Sequence, residues 1–488
     1  MKNIIIYLFL LLLIYYSDKS YSQWQTDVRL TNDTSRSSVS GNGAWYVAAN
    51  GETVHVVWYD KRDGNWEIYY KRSTNSGSNW GNDTKITNND SSSAFPSVCV
   101  NGLAVHIVWQ DERNGNDEIY YKRSQDAGVS WGADTRLTNN SNISESPSVT
   151  VSGLNVLVVW EDRRDGNKEI YFKRSSDGGS SWGSDTRLTN NTEDSEKPSI
   201  SVSGENVHVL WSDRRDGNDE IYYKRSTNSG VSWQADIRLT NYILFSGYVS
   251  VWATGSFVHC TWQESRDGNY EIYYKRSTDA GGNWGPDKQL TIQEDDQQLP
   301  SITSSGSNVH IVYFDNRNSN PEIYYTRSTD NGSNWSPETR LTNNVAYSYY
   351  PSVAVGGSFV HVVWRENRDG NDEIYYKRNP TGNPFGIKKI SSEVPVEFSL
   401  SQNYPNPFNP GTKIKFDIGS DSRFRGNDNV TLKIFDILGR EVVTLVNEQL
   451  QPGTYEADFD GSNYTSGVYF YELTAGEFRD TKKMIIIK

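Results

Sequence analysis

The Trp that closes the apolar run Val54–Trp58 recurs at Trp109, Trp160, Trp211, Trp262, Tyr313 and Trp364, always 51 residues further on. Equal steps without an insertion describe one building block laid down seven times around or along an axis. Near-identical units seldom assemble the asymmetric group of side chains that catalysis needs. The repeat therefore constrains function as well as shape.

Each unit reads as four short strands of β-branched and aromatic residues, punctuated by Gly, Asn, Asp and Ser. In the second unit these are Pro96–Gly102 (A), Ala104–Trp109 (B), Glu118–Ser124 (C) and Asp134–Asn139 (D). Asp111–Asp117 joins B to C through Asn-Gly, and most other copies use Asp-Gly; both dipeptides mark hairpins. Strand B is apolar on both faces, so its sheet must be packed between two neighbours. Four antiparallel strands repeated radially predict an all-β fold, a seven-bladed β-propeller. The seventh unit stops after strand C at Arg378, while Trp24–Asn32 matches Trp131–Asn139, a strand D standing alone. The N-terminal strand is expected to complete the last blade and close the ring.

Between C and D runs S-x-[DN]-x-G-x-x-W, at Ser73–Trp80, Ser124–Trp131, Ser175–Trp182, Ser226–Trp233, Ser277–Trp284 and Ser328–Trp335. In the seventh unit it is degraded to Asn379–Phe385. Asn75, Asp126, Asp177, Asn228, Asp279 and Asp330 are expected to accept from backbone N–H groups of the turn, with Gly at positive φ and Trp between sheets. The motif resembles the Asp box, or BNR repeat, of sialidase-like propellers. That resemblance implies the fold, and raises an exo-acting glycosidase as one activity. Such enzymes use an arginine cluster, a Tyr–Glu nucleophile pair and an Asp acid/base on non-equivalent blades, and their [FY]-R-I-P signature is absent here. No catalytic residue carries over.

All six histidines occupy one repeat position, His55, His106, His208, His259, His310 and His361, where the third unit has Leu157. A position that accepts Leu is a packing position, and no histidine is left for general base work. Each B–C turn carries an Arg (Arg62, Arg113, Arg164, Arg215, Arg266, Arg317, Arg368) with a Glu five residues later (Glu67, Glu118, Glu169, Glu220, Glu271, Glu322, Glu373). This spacing predicts a turn ion pair repeated in every blade. No metal or cofactor is expected. Cys99 and Cys260 fall in different blades and are expected to be buried, unpaired thiols.

The copies differ most in their D–A connections, and function tends to sit on variable loops over a rigid scaffold. Three successive connections stand out: Tyr242, Phe245 and Tyr248; then Glu294, Asp295 and Asp296; then Tyr347, Tyr349 and Tyr350. Aromatic faces beside carboxylates suit sugar rings, so these are the candidate ligand-binding residues.

The two ends carry addresses. Lys2, the apolar run Ile4–Tyr16 and small residues Ser20 and Ser22 predict an export signal over 1–22, too short to span a membrane. Residues 23–379 form the propeller and 380–397 a linker. Over 398–488 the blocks Phe398–Ile418, Val430–Val442, Gly453–Leu473 and Lys482–Lys488 alternate at period two and predict a small β-sandwich of about seven strands. These blocks closely resemble the type A sorting domain of the type IX (Por) secretion system. The charged stretch Gly419–Asn429 departs from that pattern and is expected to protrude without order. The resemblance implies delivery across the outer membrane of a two-membrane bacterium, with the secretion machinery as partner through 398–488. A net charge of −13 and a pI of about 5.1 argue against nucleic acid or an anionic membrane as partner. The sequence thus predicts a secreted or surface-displayed monomer, without a membrane span in the mature chain, that binds glycan or another extracellular polymer. A sialidase-type exo-glycosidase and a non-catalytic protein-interaction scaffold are the alternatives.

Overall fold

A computed structural model of the chain describes residues 24–487 apart from 42–44, 267, 358, 380–386, 392, 410, 420–428, 451 and 462–463. The predicted export signal, most of the box remnant Asn379–Phe385 and most of Gly419–Asn429 lie outside the described residues.

Seven antiparallel sheets of the same design follow one another, each made of strands A to D. Blade 2 shows the pattern: Ser93–Asn101, Ala104–Asp111, Glu118–Ser124 and Thr135–Arg136, in the order A-B-C-D. Strand A is longer than predicted because it takes in the end of the D–A connection. Strand A of each blade packs against strand A of the next, and the last of them, Ser348–Gly356, meets Val47–Asn50 of blade 1, so the ring is closed. The closing sheet is discontinuous in sequence: Val28–Arg29 pairs with strand C of blade 7, Val28 opposite Tyr376 and Arg29 opposite Tyr375.

Packing between blades explains why the repeat tolerates so little change. Trp109 on strand B is wholly buried and its Nε1 donates to Asp111 at 2.8 Å. The Ser97 hydroxyl accepts from the Val149 N–H of the next blade at 3.3 Å, and Ser250 and Ser301 do the same for Ile302 and Val353. In the box of blade 2, Asp126 Oδ1 accepts from the backbone N–H of Val129 and Ser130 at 3.0 and 2.8 Å, and Trp131 stands edge-on to Tyr70 of blade 1 with centroids 4.9 Å apart. Gly128 lies at φ +81°, and a Cβ there would sit 1.9 Å from the Tyr70 hydroxyl. Both the backbone angle and the neighbour therefore demand glycine.

The histidines are internal partners. Nδ1 of His106 lies 2.8 Å from the Tyr121 hydroxyl, and the same pair occurs at His55–Tyr70, His208–Tyr223, His259–Tyr274, His310–Tyr325 and His361–Tyr376. Blade 3, which has Leu157 instead, has Phe172 in place of the tyrosine. Imidazole and hydroxyl disappear together, so neither is left buried without a partner.

In blade 2 the predicted Arg113–Glu118 turn pair gives way to other partners. Arg113 pairs instead with Asp111 at 2.6 Å and Asp134 at 2.7 Å, lying over the Tyr120 ring at 4.3 Å. Glu118 pairs with Arg136 of strand D at 2.7 Å. The reason is strand geometry. The Arg113 N–H bonds Asp111 Oδ1 and folds the arginine back over strand C, while Glu118, opposite Asp111 in the ladder, sits beside strand D.

The C-terminal unit is a sandwich of two four-stranded antiparallel sheets. One holds, in order, Ile387–Ser391, Gly453–Asp460, Gly411–Ile418 and Ser399–Leu400; the other Glu441–Gln449, Asn429–Phe435, Gly467–Ala475 and Phe478–Ile486. Alternate residues Ile414, Phe416 and Ile418 point into a core shared with Leu432, Tyr471 and Met484. The strand Ile387–Ser391 corrects the linker predicted over 380–397: it pairs with Gly453–Asp460 as an edge of the sandwich. Only period-two alternation within each strand was visible in sequence, and this one is too short to show it.

Candidate functional site

Strand A of blades 2 to 7 carries one bulge in one place. Two residues face one on strand B, and the first of the two adopts a left-handed conformation: Phe95 at φ 50°, Ser146 at 56°, Lys197 at 55°, Tyr248 at 55°, Leu299 at 51° and Tyr350 at 52°. Non-glycine residues pay for this angle, and such strain concentrates at functional sites. These side chains ring the mouth of the channel, where Phe95, Ser146, Lys197, Tyr248, Leu299 and Tyr350 all line one bowl of about 630 Å³.

A second variable position meets them there. The residue after the strand-B Trp is Tyr59, Gln110, Glu161, Ser212, Gln263, Phe314 and Arg365 in blades 1 to 7. Five of these line the same bowl: Tyr59, Glu161, Gln263, Phe314 and Arg365. The two positions are coupled across blades, because Glu161 Oε1 accepts from the Lys197 N–H at 2.7 Å and Gln263 Oε1 from the Leu299 N–H at 2.9 Å. Two columns that vary from blade to blade thus converge on one surface. Variation at the position after the Trp was visible in the sequence, and it is the signal that attention to the loops missed.

The walls differ around the ring. At blades 3 and 4, Lys168 Nζ lies 2.9 Å from Glu161, 3.1 Å from Glu196 and 3.6 Å from Glu145. Glu161 is 1 % exposed; burial raises its pKa although Lys168 opposes the shift. Lys197 Nζ lies 3.9 Å over the Tyr248 ring. On the opposite side, the Arg365 guanidinium lies 4.6 Å over Tyr350 and 5.6 Å over Tyr349, and its Nη1 donates to Ser38 at 3.2 Å. Its Nε is buried without a hydrogen-bond partner. Arg36 pairs with Asp372 beside it at 2.7 Å. Aromatic faces, fixed cations and buried carboxylates can hold a polar ring. Glu145 and Glu161 both line the bowl, and each faces the Lys168 ammonium.

Of the nine candidate residues, the bowl brings together Tyr248, Tyr349 and Tyr350. Phe245 stands behind Tyr248, its ring 5.6 Å from Tyr270, and Tyr347 stands 5.9 Å from Tyr349 on the rim, 46 % exposed. Tyr242 lies outside: its hydroxyl donates to the Arg266 carbonyl at 3.1 Å, on the turn of blade 5. The acidic set also lies outside. Glu294 and Asp295 are exposed, and Asp296 Oδ1 accepts from the Tyr270 N–H at 2.9 Å.

Two family models match the chain: the BNR repeat-like domain over residues 155–355, and the secretion system C-terminal sorting domain over residues 402–488. Both are present in this one chain. The sorting domain marks the protein for type IX export, to the cell surface or beyond it. No curated protein matches in sequence. Among solved structures, polysaccharide lyase Uly1 is similar at 8 % identity and a TM-score of 0.51, over 73 % of this chain and 99 % of that one. Phage phi92 endosialidase gives 9 % and 0.47, over 94 % and 87 %; Trypanosoma rangeli sialidase with the inhibitor DANA gives 11 % and 0.43, over 83 % and 86 %. At such identity the likeness to the lyase shows a shared propeller fold. The chain is an exported β-propeller that contains a BNR repeat-like domain and a C-terminal secretion sorting domain.

Proposed function

We propose that the exported propeller binds glycan, or another extracellular polymer, in the bowl at the mouth of its channel, without cleaving it. One observation carries this: two columns that vary from blade to blade line that bowl together. Conserved positions build the ring, and varied positions are free to fit a ligand. The lining supports a sugar, since Tyr59, Tyr248, Tyr349 and Tyr350 offer ring faces beside Arg365 and Lys197. The fold shared with a polysaccharide lyase agrees with that class of ligand. A glycan array on the full chain, paired with a fluorogenic sialoside assay, tests the proposal. Binding without turnover supports it. Turnover would establish the sialidase-type hydrolase instead, and neither signal would leave the protein-interaction scaffold.

A further inference from the structure

The channel is obstructed directly below the bowl. Blade 1 has eight residues, Val39–Tyr46, between Ser38 and Val47, where blade 2 has only Phe95, Pro96 and Ser97 between the equivalent Ala94 and Val98. The described part of this segment reaches across the ring. Ser40 Oγ donates to the Pro96 carbonyl of blade 2 at 2.8 Å, and the Val98 N–H donates to the Trp45 carbonyl at 2.8 Å. The Tyr46 hydroxyl donates to the Val363 carbonyl of blade 7 at 3.3 Å. The Trp45 indole, 5 % exposed, stands edge-on to Trp252 of blade 5 with centroids 5.2 Å apart. One segment therefore touches blades 2, 5 and 7. Below the bowl, Ser40, Gly41 and Tyr46 share with Tyr248, Leu299 and Tyr350 a void of only about 20 Å³. That is room for about one water.

We infer that the bowl takes the end of a polymer chain and excludes its interior. This rests on the polymer-binding role proposed above. The cavity is large enough for a small ligand, but the void adjoining it is only about 20 Å³, and Trp45 of blade 1 meets Trp252 of blade 5 across the ring. A stiff saccharide passing through would need a second exit. One lying across the mouth would touch the rim and leave Arg365, Tyr350 and the Lys168 cluster unmet. Only a terminal unit entering along the axis reaches all three.

The test uses the full chain and a panel of chito-, cello-, xylo- and polysialic oligosaccharides. Each is roughly two to ten units long and is attached to a sensor surface by one end or by the other. End recognition predicts that one polarity of attachment weakens binding by at least about tenfold, and that affinity stops rising once the terminal units are present. Equal binding in both polarities, with affinity climbing with length, overturns the inference while keeping the polymer-binding role. End-specific binding unchanged by Tyr350→Ala overturns its placement in the bowl. No binding to any probe overturns the role and the inference together.

Discussion

The indole of Trp24 meets the ring of Tyr325 edge-on, with centroids 4.9 Å apart at 77°. This is the geometry that Trp131 makes with Tyr70 and Trp182 with Tyr121, at 4.9 Å and 76° in both. The N-terminal strand thus supplies to blade 7 the contact that a box tryptophan supplies elsewhere. It supplies the charges too. Asp27 pairs with Arg368 at 2.7 Å and Lys377 at 2.9 Å, as Asp134 does with Arg113 and Lys122. Arg29 pairs with the buried Glu373 at 2.6 Å, as Arg136 does with Glu118.

Deleting residues 23–33 removes all of these at once. Glu373 would be left buried without Arg29 or Thr31, a loss of about 3–5 kcal/mol where a buried pair is broken. Chemical denaturation should show a large drop in midpoint. An unchanged midpoint would mean that the ring does not depend on this strand.

Gly128→Ala should destabilise the ring without touching the bowl. It forces a Cβ against the Tyr70 hydroxyl at φ +81°, and strain of this kind costs about 1–3 kcal/mol. Adding Tyr70→Phe should recover part of the loss, because the hydroxyl is the nearest obstacle. Additive losses in the double-mutant cycle would refute the contact.

The six buried imidazoles make stability fall in acid. Burial, helped by a nearby arginine, lowers the pKa from 6.5 to about 4 at His55 and His106 and to about 3 at His208, His259, His310 and His361. Between about 6.5 and 4 the unfolded chain takes up protons that the folded chain refuses. Stability from this source is therefore complete above pH 6.5 and is lost as pH falls toward 4. At pH 4.5 the loss is on the order of 2–3 kcal/mol per histidine. Replacing His208 by Leu and Tyr223 by Phe copies the Leu157–Phe172 pair of blade 3. Denaturation from pH 7.5 to 4.5 should then show a slope shallower by one proton. An unchanged slope would show that His208 is not held neutral.

Tyr350→Ala and Arg365→Ala should each weaken ligand binding by about 1–3 kcal/mol, the scale of aromatic and arginine hot spots. Tyr242→Ala and Glu294→Ala should leave it unchanged, because these residues lie outside the bowl. Calorimetric titration with the array's best ligand decides between bowl and outer loops. Loss of binding in the Tyr242 variant alone would return the site to the D–A connections.

Passage across the outer membrane should depend on the sandwich. A chain truncated before Ile387, which removes the edge strand as well, should fold as a propeller and stay in the periplasm. Its appearance on the cell surface would show that export does not need the tail.

What can be known from the sequence here is whatever recurs every 51 residues or lies within one strand. The Trp58 series, the Ser124–Trp131 box and the lone strand D at Trp24–Asn32 are local patterns, because the hydrogen bonds that read them close within a blade or between adjacent blades. Even the blade 1 insertion left a trace: Trp24 lies 56 residues before Trp80, where the repeat requires 51. The tertiary structure decided what depends on residues brought together by closing the ring. Arg113 could pair with Glu118 or with Asp111 and Asp134, and only the fold of the turn chooses. Tyr350, Arg365, Glu161 and Lys197 are far apart in the chain and share one bowl because strand A of every blade faces the same axis. Trp45 and Trp252 meet for the same reason, and no period in the sequence relates them, since a contact across the axis joins blades that are not neighbours.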